Sequence, residues 1–250
     1  MDSHDSPLKS YFLDLQRLRV HVNEGGCGPS VLMVHGAGGG SADFDVQAAD
    51  LARYCHVYTI DLRGHGETPM PEDRLCAMED FYLDLLEVVA ALGLDKEPFS
   101  LVGHSFGGYL SARYAAEHQE GVGRLALLNT GGELPHGIAF RFLRHFSKDA
   151  DTCKHFMPWL VTANSYVTSQ LLHHSFEKWH CWDLYPQIKA PTLVVLGVFD
   201  PLIPLKLGRK MASLIPDCKV KLITSGGHLC MNDAPHEVSA ILREHLLPGA

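Results

Sequence analysis

A serine hydroxyl becomes a useful nucleophile near neutral pH only when an imidazole lies within hydrogen-bond reach and a carboxylate orients that imidazole. One serine stands where such chemistry would need it. Gly103-His104-Ser105-Phe106-Gly107 is a G-x-S-x-G pentapeptide that follows the apolar run Phe99-Ser100-Leu101-Val102 and opens a helix-like stretch over 108–118. A strand-to-helix elbow of this kind forces the serine to positive φ, and glycines at its flanks let helix and strand pack closely. Candidate partners follow in chain order. Asp200 lies in Val198-Phe199-Asp200-Pro201-Leu202-Ile203-Pro204, after the apolar run Thr192-Leu193-Val194-Val195-Leu196-Gly197, and His228 lies in Ser225-Gly226-Gly227-His228, after the last apolar run. The rival carboxylates Asp149, Asp151, Asp183 and Asp217 follow no such run. Ser105, Asp200 and His228 are therefore the expected nucleophile, orienter and base. All three sit at the carboxyl ends of expected strands, where open α/β sheets bind ligands.

Acyl transfer also needs N–H donors aimed at the developing oxyanion. The glycines of His35-Gly36-Ala37-Gly38-Gly39-Gly40 suit that task, and the expected donors are the amides of Ala37 and Phe106. The same run lacks the lysine-serine ending of a P-loop and the spacing of a dinucleotide fingerprint, which sets nucleotide binding aside. Gly36, Gly38 and His104, with Phe142 and Trp159 further along, are the candidate substrate-binding residues. His35 and His104 are also expected to brace loops, and Asp61-Leu62-Arg63-Gly64-His65-Gly66, which follows an expected strand, looks functional. His173, His174, His180 and Cys181 fit no zinc spacing, so no metal or other cofactor is implied.

The elements that must position these groups follow from periodicity. Short alternating strands are expected at 11–15 and 17–23, and buried strands at 30–35, 57–62, 99–103, 125–129, 192–197 and 220–224. Helical faces recur over 78–92 and 234–247. Strands alternating with helices mean an α/β fold, a mostly parallel twisted sheet with helices on both faces. The alternation stops over 133–186, read as a helical cap inserted into a core made of 1–132 and 187–250. Its aromatic residues Phe142, Phe146, Phe156, Trp159, Tyr166, Phe176, Trp179 and Trp182 could line an apolar acyl pocket, and most are expected to form cap core. Arg141, Arg144 and Lys148 make a basic stripe there, a solvated face or, on a sharper reading, a docking patch for an acidic acyl-carrier partner.

Composition narrows the class of partner. A chain of 250 residues, 46% hydrophobic, suits one large domain. A net charge of −8 without a basic block argues against nucleic acid. The polar start at 1–7 precedes no long apolar run, so neither a secretory signal nor a membrane span is expected there, and the expected location is cytoplasmic. Seven scattered cysteines without C-x-x-C spacing are expected to be reduced thiols.

Five pieces in order, His35-Gly36-Ala37-Gly38-Gly39, Asp61-Leu62-Arg63-Gly64-His65-Gly66-Glu67-Thr68, Gly103-His104-Ser105-Phe106-Gly107-Gly108, Asp200-Pro201-Leu202-Ile203-Pro204 and Gly227-His228, resemble the α/β-hydrolase superfamily, specifically its small capped, cofactor-free members. The resemblance runs from about residue 31 to 247 and leaves the cap poorly matched. It implies the α/β-hydrolase fold, with Ser105 as nucleophile, Asp200 as orienter, His228 as base, Ala37 as an oxyanion donor and residues 61–66 as a structural turn near the site, but it transfers no substrate. A serine hydrolase acting on small acyl esters or thioesters is the expected function. Carbon-carbon bond or lactone cleavage on the same residues, or a slow-turnover ligand receptor, are the alternatives. Dehalogenase and epoxide hydrolase activities, which the resemblance ties to an aspartate nucleophile, are disfavoured by Ser105.

Overall fold

Successive strand residues face opposite sides, so a wholly apolar run such as Val31-Leu32-Met33-Val34 needs cover on both faces. The computed structural model of the chain, which describes residues 8–135, 141 and 164–247, provides it. Val31 and Met33 pack with Phe44, Ala48, Leu51, Val238 and Leu242 on one face. Leu32 and Val34 pack with Phe81, Leu85, Leu110 and Met211 on the other.

The strands are β1 (Lys9–Asp14), β2 (Arg19–Gly25), β3 (Ser30–Val34), β4 (His56–Ile60), β5 (Phe99–His104), β6 (Val122–Leu128), β7 (Thr192–Gly197) and β8 (Cys218–Ile223). They form one sheet in the order β1-β2-β4-β3-β5-β6-β7-β8. The entry hairpin is antiparallel, β2 joins β4 antiparallel, and every later pairing is parallel. The mostly parallel sheet expected from the sequence is thus present, each strand shifted at its ends by a few residues at most. Helices α1 (Asp45–Leu51) and α7 (Pro235–Leu246) cover one face, while α2 (Met78–Ala91), α3 (Ser105–Glu117) and α5 (Leu205–Leu214) cover the other. Between α3 and α5 comes the short α4 (Ser165–Gln170), and α6 (Cys230–Asp233) precedes α7. Among the described residues no helix is long and apolar enough to cross a membrane.

Two corrections concern the elements. Helices α1 and α5 were not anticipated, and α3 begins at Ser105 itself, not at 108. Part of the segment expected to form a cap also packs on the core: the Asn164 N–H donates to the Gly64 carbonyl at 2.7 Å, and Val167, Leu171, Phe176 and Trp179 lie in the main core. Glu133 bridges His180, the Cys181 N–H donates to the Gly132 carbonyl at 2.8 Å, and Trp182 Nε1 donates to Glu133 at 3.0 Å. These bonds join residues 132–133 to 180–182, and the turn Trp182–Gln187 packs with the core through buried Trp182 and Tyr185.

Candidate active site

Helix α3 reaches the sheet edge because glycine permits it. A Cβ on Gly107 would strike the carbonyl oxygens of Val34 and His35, so the first turn of α3 lies directly on the end of β3. Ser105 is held at φ 49°, a left-handed conformation sparsely populated by residues other than glycine. Because the helix starts at Ser105, the Phe106 N–H has no carbonyl one turn behind it to bond. The Phe106 ring points the other way, packed with Phe81, Tyr109, Phe176 and Trp179.

The three loops expected to converge do so. Ser105 Oγ lies 3.0 Å from His228 Nε2, and His228 Nδ1 lies 2.8 Å from Asp200 Oδ2. Asp200 is 8% exposed, and its other oxygen accepts the N–H groups of Leu202 and Ile203 at 2.8 and 2.9 Å. A carboxylate used as acceptor at both oxygens requires the proton on His228 Nδ1, which leaves Nε2 free to accept from the serine hydroxyl. That tautomer is the one a general base needs.

The glycine-rich loop after β3 abuts the elbow. A Cβ on Gly36 would sit 3.0 Å from Ser105 Cβ and 2.7 Å from His104 Nδ1. Two histidines brace this loop. His35 accepts the Leu62 N–H at Nε2 (2.9 Å) and donates from Nδ1 to the Gly36 carbonyl (2.7 Å). His65 accepts the Gly38 N–H at Nε2 (3.1 Å) and donates from Nδ1 to the Arg63 carbonyl (2.9 Å). Burial, and then the proximity of His35, push the His65 pKa down to about 3, consistent with a ring that serves as acceptor. Asp61 accepts from Ser41 N (2.5 Å), Glu67 N (3.0 Å) and His21 Nδ1 (2.8 Å). Burial works against its charge, but His35, those amides and His21 hold its pKa below the ordinary value. Arg63 is fully buried, bidentate to Asp84 at 2.6 Å on both bonds, and donates to the Leu75 carbonyl. The Asp61–Gly66 segment is thus a brace for the loop, in the structural sense expected.

Three residues at the His228 loop were missed or only half seen. Asn129, at φ 44° past the end of β6, donates from Nδ2 to the carbonyls of Gly227 and His228, each at 2.7 Å, and accepts the Gly197 N–H at 2.7 Å. Gln47 on α1 donates to the carbonyls of Met231 and Pro235. His104, offered above as substrate-binding, is 2% exposed and donates from Nε2 to the His228 carbonyl at 2.8 Å. Its contacts are those of a brace, the second role expected for it. Burial first, then His228, drives its pKa well below the ordinary value. Polar residues such as Asn129 just past a buried strand are the one signal that pointed here.

Gly36 and Gly38 are buried beside the elbow, and Ala37 between them is partly exposed. Phe142 and Trp159 lie outside the described residues, as do Phe146, Phe156, Arg144 and Lys148; Arg141 is exposed. Phe176, Trp179 and Trp182 are buried in the main core, packed with residues of the sheet and its helices. Among the described residues no three histidine, cysteine, aspartate or glutamate side chains cluster to suit a metal ion.

Comparison with known proteins agrees with this fold. A family model described as the alpha/beta hydrolase family matches residues 31–241. A 2-hydroxy-6-oxo-6-phenylhexa-2,4-dienoate hydrolase of Burkholderia cepacia is 26% identical over 251 aligned positions, covering 86% of each chain. A 2-hydroxy-6-oxononadienedioate/2-hydroxy-6-oxononatrienedioate hydrolase of Comamonas testosteroni is also 26% identical at the same coverage. Among solved structures, a Bacillus subtilis carboxylesterase superposes with a TM-score of 0.83 at 16% identity, covering 97% of this chain and 93% of its own. An enol-lactonase from Burkholderia xenovorans LB400 gives 0.81 at 18% identity, covering 94% and 99%. At those identities the likeness is one of fold.

Proposed function

The chain belongs to the alpha/beta hydrolase family, and on that premise we propose that it is a serine hydrolase cleaving small acyl esters or thioesters through an acyl-enzyme at Ser105. The observation that carries this reading is the continuous line Asp200–His228–Ser105, at 2.8 and 3.0 Å, ending on a serine at positive φ. Ser105 Oγ attacks the substrate carbonyl as His228 Nε2 takes its proton. Asp200 keeps the imidazole in the required tautomer and stabilises the imidazolium. The amides of Ala37 and Phe106 receive the oxyanion, and each such donor is worth about 10²- to 10³-fold in rate. His228 then protonates the leaving alcohol or thiol, and a water deprotonated by the same nitrogen releases the acyl group.

A second reading, carbon-carbon bond hydrolysis, draws support from the names of the Burkholderia and Comamonas relatives. A panel of aryl esters and acyl thioesters graded by acyl length, run beside a 2-hydroxy-6-oxo-dienoate, separates the two. Faster turnover of the esters supports the first reading, and preferential cleavage of the dienoate replaces it with the second.

A further inference from the structure

A second serine, histidine and aspartate line up at the antiparallel edge of the sheet, on or just past strands apart from the interior strand β5 that leads into Ser105. Ser10 Oγ lies 2.6 Å from His21 Nε2, and His21 Nδ1 lies 2.8 Å from Asp61 Oδ2. The register explains the alignment. On the β1/β2 hairpin Phe12 stands opposite His21 and Ser10 opposite Asn23, so Ser10 and His21 are diagonal neighbours on one face. Strand β1 is the edge of the sheet, and Ser10 is exposed while His21 and Asp61 are 3% and 2% exposed.

The proton arrangement is fixed by the same reasoning as at His228. Asp61 already accepts the N–H groups of Ser41 and Glu67, so its bond to His21 requires a proton on Nδ1. In the neutral ring Nε2 is then an acceptor, and the Ser10 hydroxyl donates to it. An alcohol in that position is activated as a nucleophile. Two features separate it from Ser105. Ser10 lies on a regular strand, without the helix amide that follows an elbow serine, and the Glu67 carboxylate stands 3.8 Å from His21 Nε2. An oxyanion at Ser10 therefore gains little stabilisation, either in forming an adduct or in breaking one down.

We propose that Ser10 is a covalent acceptor site, taking acyl or phosphonyl groups from activated esters independently of Ser105 and releasing them slowly. In the acyl case, Ser10 Oγ bonds to the carbonyl carbon and its proton passes to His21 Nε2. The carbon-oxygen bond to the leaving phenol then breaks, and His21 returns the proton to the phenolate. The products are a Ser10 ester and free phenol, with no redox change.

The test uses the Ser105→Ala protein, so that its outcome does not depend on the reading of Ser105. The protein is incubated with an aryl acetate and, separately, with a fluorophosphonate, and adducts are located by intact mass and peptide mapping. The expected result is an adduct on Ser10 that forms faster than on Ser213, an exposed serine whose hydroxyl bonds a backbone carbonyl, not an imidazole. It disappears in Ser10→Ala/Ser105→Ala, and it forms on the order of 10²-fold more slowly in His21→Gln/Ser105→Ala, the low end of a general base's contribution. Labelling of Ser10 no faster than Ser213, or at a rate indifferent to His21→Gln, overturns the proposal. Ser10→Ala alone is expected to retain full ester turnover at Ser105.

Discussion

Asn129 donates a hydrogen bond to the backbone carbonyl of His228 at 2.7 Å, and its own carbonyl oxygen accepts the N–H of Gly197 at the end of β7. One buried amide therefore ties the loop bearing the proposed base to the strand that leads into Asp200. Replacing it by alanine leaves the Gly197 N–H without its acceptor, a cost of about 1–3 kcal/mol. It also frees the His228 loop. Asn129→Ala is expected to lower kcat by on the order of 10²-fold with KM little changed, because misplacing a catalytic group weakens the reaction step more than binding. Steady-state kinetics beside a melting curve check this; a melting shift with unchanged kcat would leave Asn129 merely structural.

The His65 ring supplies a pH dependence whose sign follows from its bonds. As acceptor of the Gly38 N–H it must stay neutral, and its pKa is pushed down to about 3 from a reference of 6.5. The unfolded chain thus binds a proton that the folded one refuses. The stability this represents is complete above about pH 6.5 and is lost progressively as the pH falls toward 3, at up to about 1.4 kcal/mol per pH unit. Denaturant melts across that range should show the slope, and His65→Gln should flatten it by about one proton.

Arg63 and Asp84 form a buried, bidentate pair between the turn after β4 and helix α2. Removing one partner strands the other's charge. Asp84→Asn or Arg63→Met is expected to destabilise the fold by about 3–5 kcal/mol, measured as a shift in the urea midpoint at unchanged m-value.

The elbow makes a steric prediction. A methyl group at Gly107 would overlap the backbone carbonyls of Val34 and His35, which have no freedom to move aside. Gly107→Ala should lose ester turnover and melt lower than wild type, whereas Ala112→Gly later in α3 should cost about 1 kcal/mol and leave turnover nearly intact.

The strands and the proposed catalytic line were legible because they depend on local signals: unbroken apolar runs, glycines where backbones touch, and polar residues just past strand ends. Helix α5 was not, since Leu205–Leu214 buries only Gly208, Met211 and Ala212 and its start is marked by Pro204, not by a polar cap. The roles of Asn129, Gln47 and His104 were hidden for another reason. Each acts through a backbone carbonyl some 100 or more residues away, as with the Gln47–Met231 bond at a separation of 184, and no sequence pattern records which carbonyl a side chain will find. The bridge between Glu133 and His180, with the Glu133–Trp182 bond beside it, likewise joins residues that only the folded chain brings together.

The central claim is tested most directly by rapid quenching during turnover of a short-chain aryl ester, followed by peptide mapping and by the same assay on Ser105→Ala. The account predicts an acyl group on Ser105 in the wild type and a fall in steady turnover of on the order of 10⁴-fold or more in the variant. Turnover that survives Ser105→Ala at the wild-type rate, or a wild-type enzyme in which Ser105 is never acylated, would contradict it.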